Sequence, residues 1–272
     1  ISCILCTHFG TLLIPMLTVI SPAKTLDFDT PAVTRKLSQP SLLNQSRQLV
    51  TLMRKQTAGD LEKMMGISHK LAELNVERFK QWKSPFTPDN AKQSILAFRG
   101  DVYIGLDADT YSERDFNFAQ KHLRILSGLY GVLKPLDLIQ PYRLEMGTRI
   151  ENRRGKDLYE FWGNRIAKSL SSELDSHRNG TLINLASNEY FKSVQTEKLG
   201  GDVITPVFKD FNKGAYKVMS FFAKKARGSM ASFMIRQRID RADGLKDFRT
   251  DGYRFNASLS SDTEWVFTRK AS

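Results

Sequence analysis

The sequence predicts an α+β fold in which a single mixed sheet is wrapped by helices. Three observations carry this reading. Short apolar runs rich in β-branched residues recur at 16–20, 180–186, 203–208 and 265–268, each the length of a buried strand. Stretches with helical spacing at 41–56, 69–82, 112–123 and 158–174 lie among them. The two kinds intermix without strict alternation, and no internal repeat or low-complexity tract divides the chain, so residues 16–272 read as one domain.

The 272 residues are 41% hydrophobic, enough for a sizeable core. Charge is more informative. Lys and Arg number 41 against 29 Asp and Glu, a net charge of +12 with a pI near 9.7. Such a balance favours a polyanionic partner, nucleic acid ahead of a membrane surface, and the DNA phosphate backbone is the expected contact. No membrane association and a monomeric state are expected.

Residues 1–15 differ in character from the rest of the chain and are expected to form a non-native or disordered extension outside the domain. They lack the basic start of a signal peptide, and Thr7, His8, Gly10 and Pro15 interrupt them too often for a membrane span. Both cysteines, Cys3 and Cys6, sit there in a Cys-x-x-Cys spacing with no second pair. The domain itself is therefore expected to use neither disulfide nor thiol chemistry, which suits a cytoplasmic location.

Met16–Ile20 reads as a buried strand, and Lys24 lies in the loop that leaves it. A helical stripe opens at Pro40-Ser41, and residues 41–83 form an all-helical block expected to behave as a subdomain. Within it, Gly66 is suited to end one helix in a left-handed conformation and Ser68 to cap the next, leaving outward N–H groups that attract anions. The string Met65–Ala72 resembles the helix-hairpin-helix of DNA-binding proteins, with Gly66, Ile67, Lys70 and Ala72 at its usual positions and Ser68 in place of the second glycine. An ordinary helical turn in a core is the alternative. The helix after this turn runs to about Trp82, with Leu71, Leu74, Phe79 and Trp82 facing inward and Lys70, Arg78 and Lys80 outward.

Residues 94–98 read as a strand continued by 102–104 beyond a bend at Gly100. A helix from Ser112 reaches Leu123, and 124–127 fit either its last turn or another strand. Gly128 and Gly131 mark a tight turn; 158–174 reads as one helix, and 216–221 as a further β segment.

Lys224, Lys225 and Arg227 form the densest basic cluster, expected to precede a helix holding Arg236, Arg238 and Arg241. Phe221 and Phe222 beside it suit phosphate contacts with some stacking; a solvated helix face with two core phenylalanines is the alternative. The expected DNA contacts are thus Gly66, Ile67, Ser68, His69 and Lys70, with Lys24, Arg143, Lys192, Lys224, Lys225 and Arg227 at turns and strand ends. Glu145, Asn184 and Glu189 are candidates to line a cleft. An alternative function is an enzyme acting on a nucleotide or small phosphorylated ligand held there, although no catalytic residue can be assigned. His8, His69, His122 and His177 are isolated, so no metal site is expected, and no cofactor motif is found.

Seven strings point to one family: Met16–Asp27 (MLTVISPAKTLD), Ile95–Tyr103, Leu126–Asp137, Pro141–Gly147 (PYRLEMG), Gly155–Tyr159, Asn184–Lys192 (NLASNEYFK) and Phe222–Met230. Together they resemble the YaaA family, bacterial proteins associated with resistance to peroxide stress. The resemblance runs from Met16 to the C-terminus. It implies a role in limiting free intracellular iron and oxidative damage to DNA.

Overall fold

The computed structural model describes residues 16–175 and 180–270. The extension with Cys3, Cys6 and His8, and likewise His177, lie outside the described residues.

In chain order the elements are β1 (Leu17–Ile20), β2 (Thr25–Leu26), α1 (Leu43–Met53), α2 (Ala58–Met65), α3 (His69–Gln81), β3 (Lys92–Gln93), α4 (Ser94–Ala97), β4 (Phe98–Arg99), α5 (Asp101–Leu106) and α6 (Glu113–His122). They continue with β5 (Leu123–Ser127), β6 (Gly131–Leu133), β7 (Leu138–Ile139), α7 (Leu158–Trp162), α8 (Arg165–Asp175), β8 (Thr181–Leu185) and α9 (Asn188–Phe191). The last are β9 (Asp202–Asn212), β10 (Ala215–Lys217), α10 (Ser220–Arg236), β11 (Arg254–Phe255) and β12 (Glu264–Lys270). The main sheet is mixed, ordered β11-β12-β9-β8-β1-β5-β6, with β10 paired to β9. Its centre is parallel from β12 to β5, whereas β6, β10 and β11 pair antiparallel at the margins. Central strands covered on both faces read as continuous apolar runs, as in Leu17-Thr-Val-Ile20, all four residues of which are buried.

Local sequence sets several boundaries. Thr57 and Asp60 form a reciprocal capping box at the start of α2, and Ser112 and Asp115 do the same for α6. Gly66 ends α2 at φ 60°, as a left-handed cap requires. Leu49, Leu61, Phe79 and Trp82 of the helical block belong to the same continuous apolar cluster as β1, β5 and β8.

Five expectations are corrected. Ser94–Ala97 is a helical turn, with strand only at Phe98–Arg99, and 101–106 is α5. Such short apolar runs carry no period that separates helix from strand. Gly163, at φ 50°, splits 158–174 into α7 and α8. The β segment at 216 stops at Lys217, because α10 begins at Ser220; the Lys224–Arg227 cluster lies inside α10, and Arg238 and Arg241 follow it. Phe221 and Phe222 are exposed, which sets aside the alternative of two core phenylalanines. On α3 the buried face is Ala72, Asn75, Phe79 and Trp82, while Leu71 and Leu74 are exposed. Residues 124–127, which fit either helix or strand in the sequence, are strand β5.

The closest helix contact fixes α5 against α10. A Cβ on Gly228 would lie 1.7 Å from the Val102 carbonyl oxygen, and one on Gly105 would lie 2.1 Å from that of Lys225. Both obstacles are backbone, so they cannot turn aside. Gly228→Ala is expected to force the helices apart and lower the unfolding free energy by about 3 kcal/mol. Urea midpoints measure this; an unchanged midpoint would show that the contact is looser than described.

Candidate functional site

A cleft of about 1120 Å³ opens between the 28–37 loop, the end of α3 and the segment 88–93. Among its lining residues, Arg35, Arg54, Arg78, Lys80, Lys83 and Lys92 face two carboxylates, Asp29 and Asp89. Two of the six cations are spent on structure. The Arg54 guanidinium donates to the carbonyls of Phe79 (2.8 Å), Lys80 and Trp82, satisfying the open end of α3. Lys92 is buried, and its Nζ donates to the carbonyls of Asp27 (3.0 Å) and Thr30 (2.7 Å). The remaining four, Arg35, Arg78, Lys80 and Lys83, make no side-chain hydrogen bond or ion pair with any described residue.

The cleft wall is held by neighbours of Lys92. The Gln93 side-chain amide donates to the carbonyls of Thr34 (3.2 Å) and Lys36 (2.8 Å). Asp27 accepts from the Thr30 N–H (2.9 Å) and from Arg99 Nε (3.1 Å) and Nη2 (2.9 Å). The Thr30 N–H first, then Arg99 and the nearby Lys92 ammonium, hold its carboxyl far below the usual carboxylate range.

Beside the cleft lie the carboxyl ends of the parallel strands. From β1 the chain moves outward to β5, then crosses back to β8 and on to β9, so the loops leaving β1 and β8 diverge. That divergence creates the crevice at which open parallel sheets bind ligands. There Ser21 Oγ accepts from the Ser187 N–H (2.9 Å), joining the two loops. Lys24 Nζ lies 2.8 Å from Glu145 Oε2, and Arg143 Nη2 lies 3.2 Å from Glu145 Oε1. Glu189 accepts from the Gly147 N–H (2.9 Å). The Tyr103 hydroxyl donates to the Ser21 carbonyl, and Tyr142 bonds Ser127 Oγ. Burial pushes both phenols, and that of Tyr190, well up.

The turn between α2 and α3 lies at the other end of α3, about 20 Å from Trp82 at 1.5 Å per residue. Ser68 caps α3 in extended backbone, but its side chain makes no capping bond. Ile67 packs on the core, while Ser68, His69 and Lys70 are exposed. His69 sits between two acids, bonded through Nδ1 to Glu62 and lying 3.3 Å through Nε2 from Glu73. Glu62 first, then Glu73, raise its pKa above the ordinary histidine value.

The structure therefore gathers Lys24, Arg143 and Glu145 into one ion group, with Glu189 bound to the same 141–147 loop. Other predicted residues are placed elsewhere. Asn184 is buried and uses its amide on Thr205 and on the Ala186 N–H. Lys192 packs over the Tyr159 ring at 4.8 Å. Lys225 is paired with Asp251 at 3.2 Å, Lys224 is exposed, and Arg227 is half-buried on α10. The sequence reading missed Arg35, Arg54, Lys83 and Lys92, and it treated Arg78 as a plain surface residue. A phase shift of one position on α3 would have brought Arg78 inward beside Asn75. Among the described residues no cluster of three or more His, Cys, Asp or Glu is arranged to hold a metal ion.

Asp27→Asn is expected to lower the unfolding free energy at pH 7 by about 1–3 kcal/mol, the worth of hydrogen bonds to a charged group. Because the native carboxyl pKa is depressed, this contribution is full above the ordinary Asp value of about 4 and fades as pH falls toward the native value. Urea midpoints of the two proteins should converge below about pH 4; a constant gap across that range would assign the effect to shape rather than charge.

Residues 16–259 match the family model described as peroxide stress protein YaaA. A "UPF0246 protein" of Cellvibrio japonicus (strain Ueda107) is 57% identical over 255 residues, which cover 94% of this chain and 99% of that protein. No helix among the described residues is long and apolar enough to cross a membrane. With most of its length matched and its sequence more than half identical to that relative, the chain belongs to the peroxide stress protein YaaA family.

Proposed function

We propose that the chain serves peroxide-stress defence by binding DNA through backbone phosphates, largely without sequence preference. The observation that carries this is the cleft in which four cations lack any partner among the described residues. Each phosphate neutralised there releases counterions, so the affinity arises without reading bases. The hairpin adds the free N–H groups at the start of α3, an anion-binding arrangement, and Lys70 beside them. Hairpin and cleft occupy the two ends of one helix, a separation of about 20 Å that two phosphates on a duplex can span. Lys24, Arg143, Lys192, Lys224, Lys225 and Arg227, which do not line the cleft, are proposed as further phosphate contacts. In this reading the monomer shields cytoplasmic DNA from iron-driven oxidation.

Binding to short duplex, single-stranded and branched DNA, followed by fluorescence anisotropy across salt, tests the reading. A log-log slope of about −4 is expected on duplex DNA, roughly −0.9 for each of the four free cations. Lys80→Ala with Lys83→Ala should reduce the slope by about 2. Ser68→Glu, which sets a carboxylate at the start of α3, should weaken unrelated sequences alike by about tenfold. Affinity that survives both changes would remove cleft and hairpin from the interface.

The hairpin contact should also depend on pH. While His69 is protonated it offsets Glu62 and Glu73, and because its pKa is raised, that offset persists above pH 6.5. As pH rises further the ring becomes neutral and the two acids repel phosphate. DNA affinity is thus expected to fall a few-fold above pH 6.5, and His69→Gln should abolish the step. A variant with the same pH profile as the wild type would show that His69 does not face DNA.

A further inference from the structure

We propose that Arg78, Arg143 and Lys24 form a binding site for a terminal phosphate group, carried by a nucleotide-sized ligand that enters from the cleft to the strand ends. It shares these three cations with the surface proposed to contact DNA; what sets it apart is the ligand, a terminal phosphomonoester rather than a backbone phosphodiester.

Charge balance is the first argument. Lys24 and Arg143 share one carboxylate, Glu145, and Arg78 on the cleft wall adds a third positive charge that no carboxylate pairs among the described residues. Arg78 is half-buried on the cleft wall and has no hydrogen bond or ion pair among the described residues. Burial first, and then the charge of Arg143, pull its pKa below the ordinary arginine value. Lone, desolvated, mutually repelling cations are unfavourable in a fold, and a bound anion removes that penalty. The positive charge left over suits a phosphate anion.

The second argument is an unused donor. Arg143 Nε is buried and has no hydrogen-bond partner, whereas its Nη2 is held by Glu145. A guanidinium fixed on one side with a free N–H on another is prepared for a charge-assisted bond to an oxyanion. Topology supplies the third argument. The group sits by the crevice between the β1 and β8 loops, where Ser21 and Ser187 hydroxyls lie 3.3 Å apart. Buried Tyr103 bonds the Ser21 carbonyl and buried Tyr142 immediately precedes Arg143, so the ground beside the group is dry, where an arginine–phosphate contact is strengthened.

Isothermal titration of the full chain with inorganic phosphate, adenosine 5′-monophosphate and adenosine tests the site. Phosphate and the nucleotide are expected to bind, with adenosine at least 30-fold weaker than the nucleotide, on the order of one charged Arg–phosphate contact. Arg78→Gln and Arg143→Gln should each weaken the nucleotide by about tenfold or more, while Lys246→Gln, a loss of charge elsewhere, should not. Arg78→Gln keeps the test decisive if Arg143→Gln fails to fold, since the Arg78 side chain bonds none of the described residues. Two sources of the phosphate are separated by a single-stranded 12-mer with and without a 5′-phosphate. If the phosphorylated strand binds tenfold tighter and displaces the nucleotide, the site receives strand ends; if only the mononucleotide binds there, it receives a free nucleotide. Absence of binding by phosphate, nucleotide and phosphorylated strand alike overturns the proposal, as does nucleotide affinity unchanged in Arg78→Gln. Failure of duplex binding with nucleotide binding intact would count against the DNA reading alone.

Discussion

The cleft depends on one buried ammonium. Lys92 sits in β3 with its charge inside the protein, and burial pulls its pKa below the ordinary lysine value while Asp27 opposes the shift. A charge in that position requires oxygen ligands, and the nearest are carbonyls of the loop leaving β2. The loop must therefore fold over Lys92, which places Asp27 where it can accept from Thr30 and Arg99. Gln93 then fixes the carbonyls of Thr34 and Lys36. Without these bonds, residues 28–37 would have no reason to stand away from α3, and the space between them would close.

On the other side, the sheet decides what the cleft leads to. Parallel pairing of β1 with both β5 and β8 sends their carboxyl-end loops apart, and the 141–147 segment lies over the opening. The Tyr130 hydroxyl accepts from Trp82 Nε1 and from the Gln140 N–H, which ties α3 to the start of that segment. Arg78 is carried by α3 and Arg143 by the segment, so this aromatic tie links the two elements that bear the guanidinium groups.

Much of this was legible in the sequence. The strands at β1, β8 and β12 announce themselves as β-branched runs, α1 and α6 as stripes, and Gly66 as a left-handed cap. Position alone put Lys24 and Arg143 at turns or strand ends and Glu145 two residues beyond Arg143, before any contact was known. What escaped was set by tertiary context. Ser94-Ile-Leu-Ala-Phe98 is buried on all sides, so its side chains carry no inside-outside period to distinguish a helical turn from a strand. Lys92 looks like any polar residue in 88–93, because its ligands lie 62 and 65 positions earlier in the chain. On α3 the buried polar Asn75 stands where a leucine was expected to face inward, and the phase slips by one.

The same context separates cations that hold the fold from cations that remain available. Net charge counts all of them equally, and turn or strand-end position does not sort them either. Of the cations proposed from the sequence, Lys24 is paired with Glu145, Lys225 with Asp251, and Lys192 rests on an aromatic ring. Those contacts already satisfy much of their electrostatic demand, and a ligand would have to compete with them. Arg35, Arg78, Lys80 and Lys83 attracted no attention as functional residues, yet among the described residues they have no partner to surrender. Arg35, Lys80 and Lys83 are exposed and only Arg78 is half-buried, so what an anion arriving at the cleft gains is a set of cations with no pairing to give up. Affinity in this protein should therefore follow the unpaired cations of the 28–37 and 78–83 walls more closely than the dense basic run on α10.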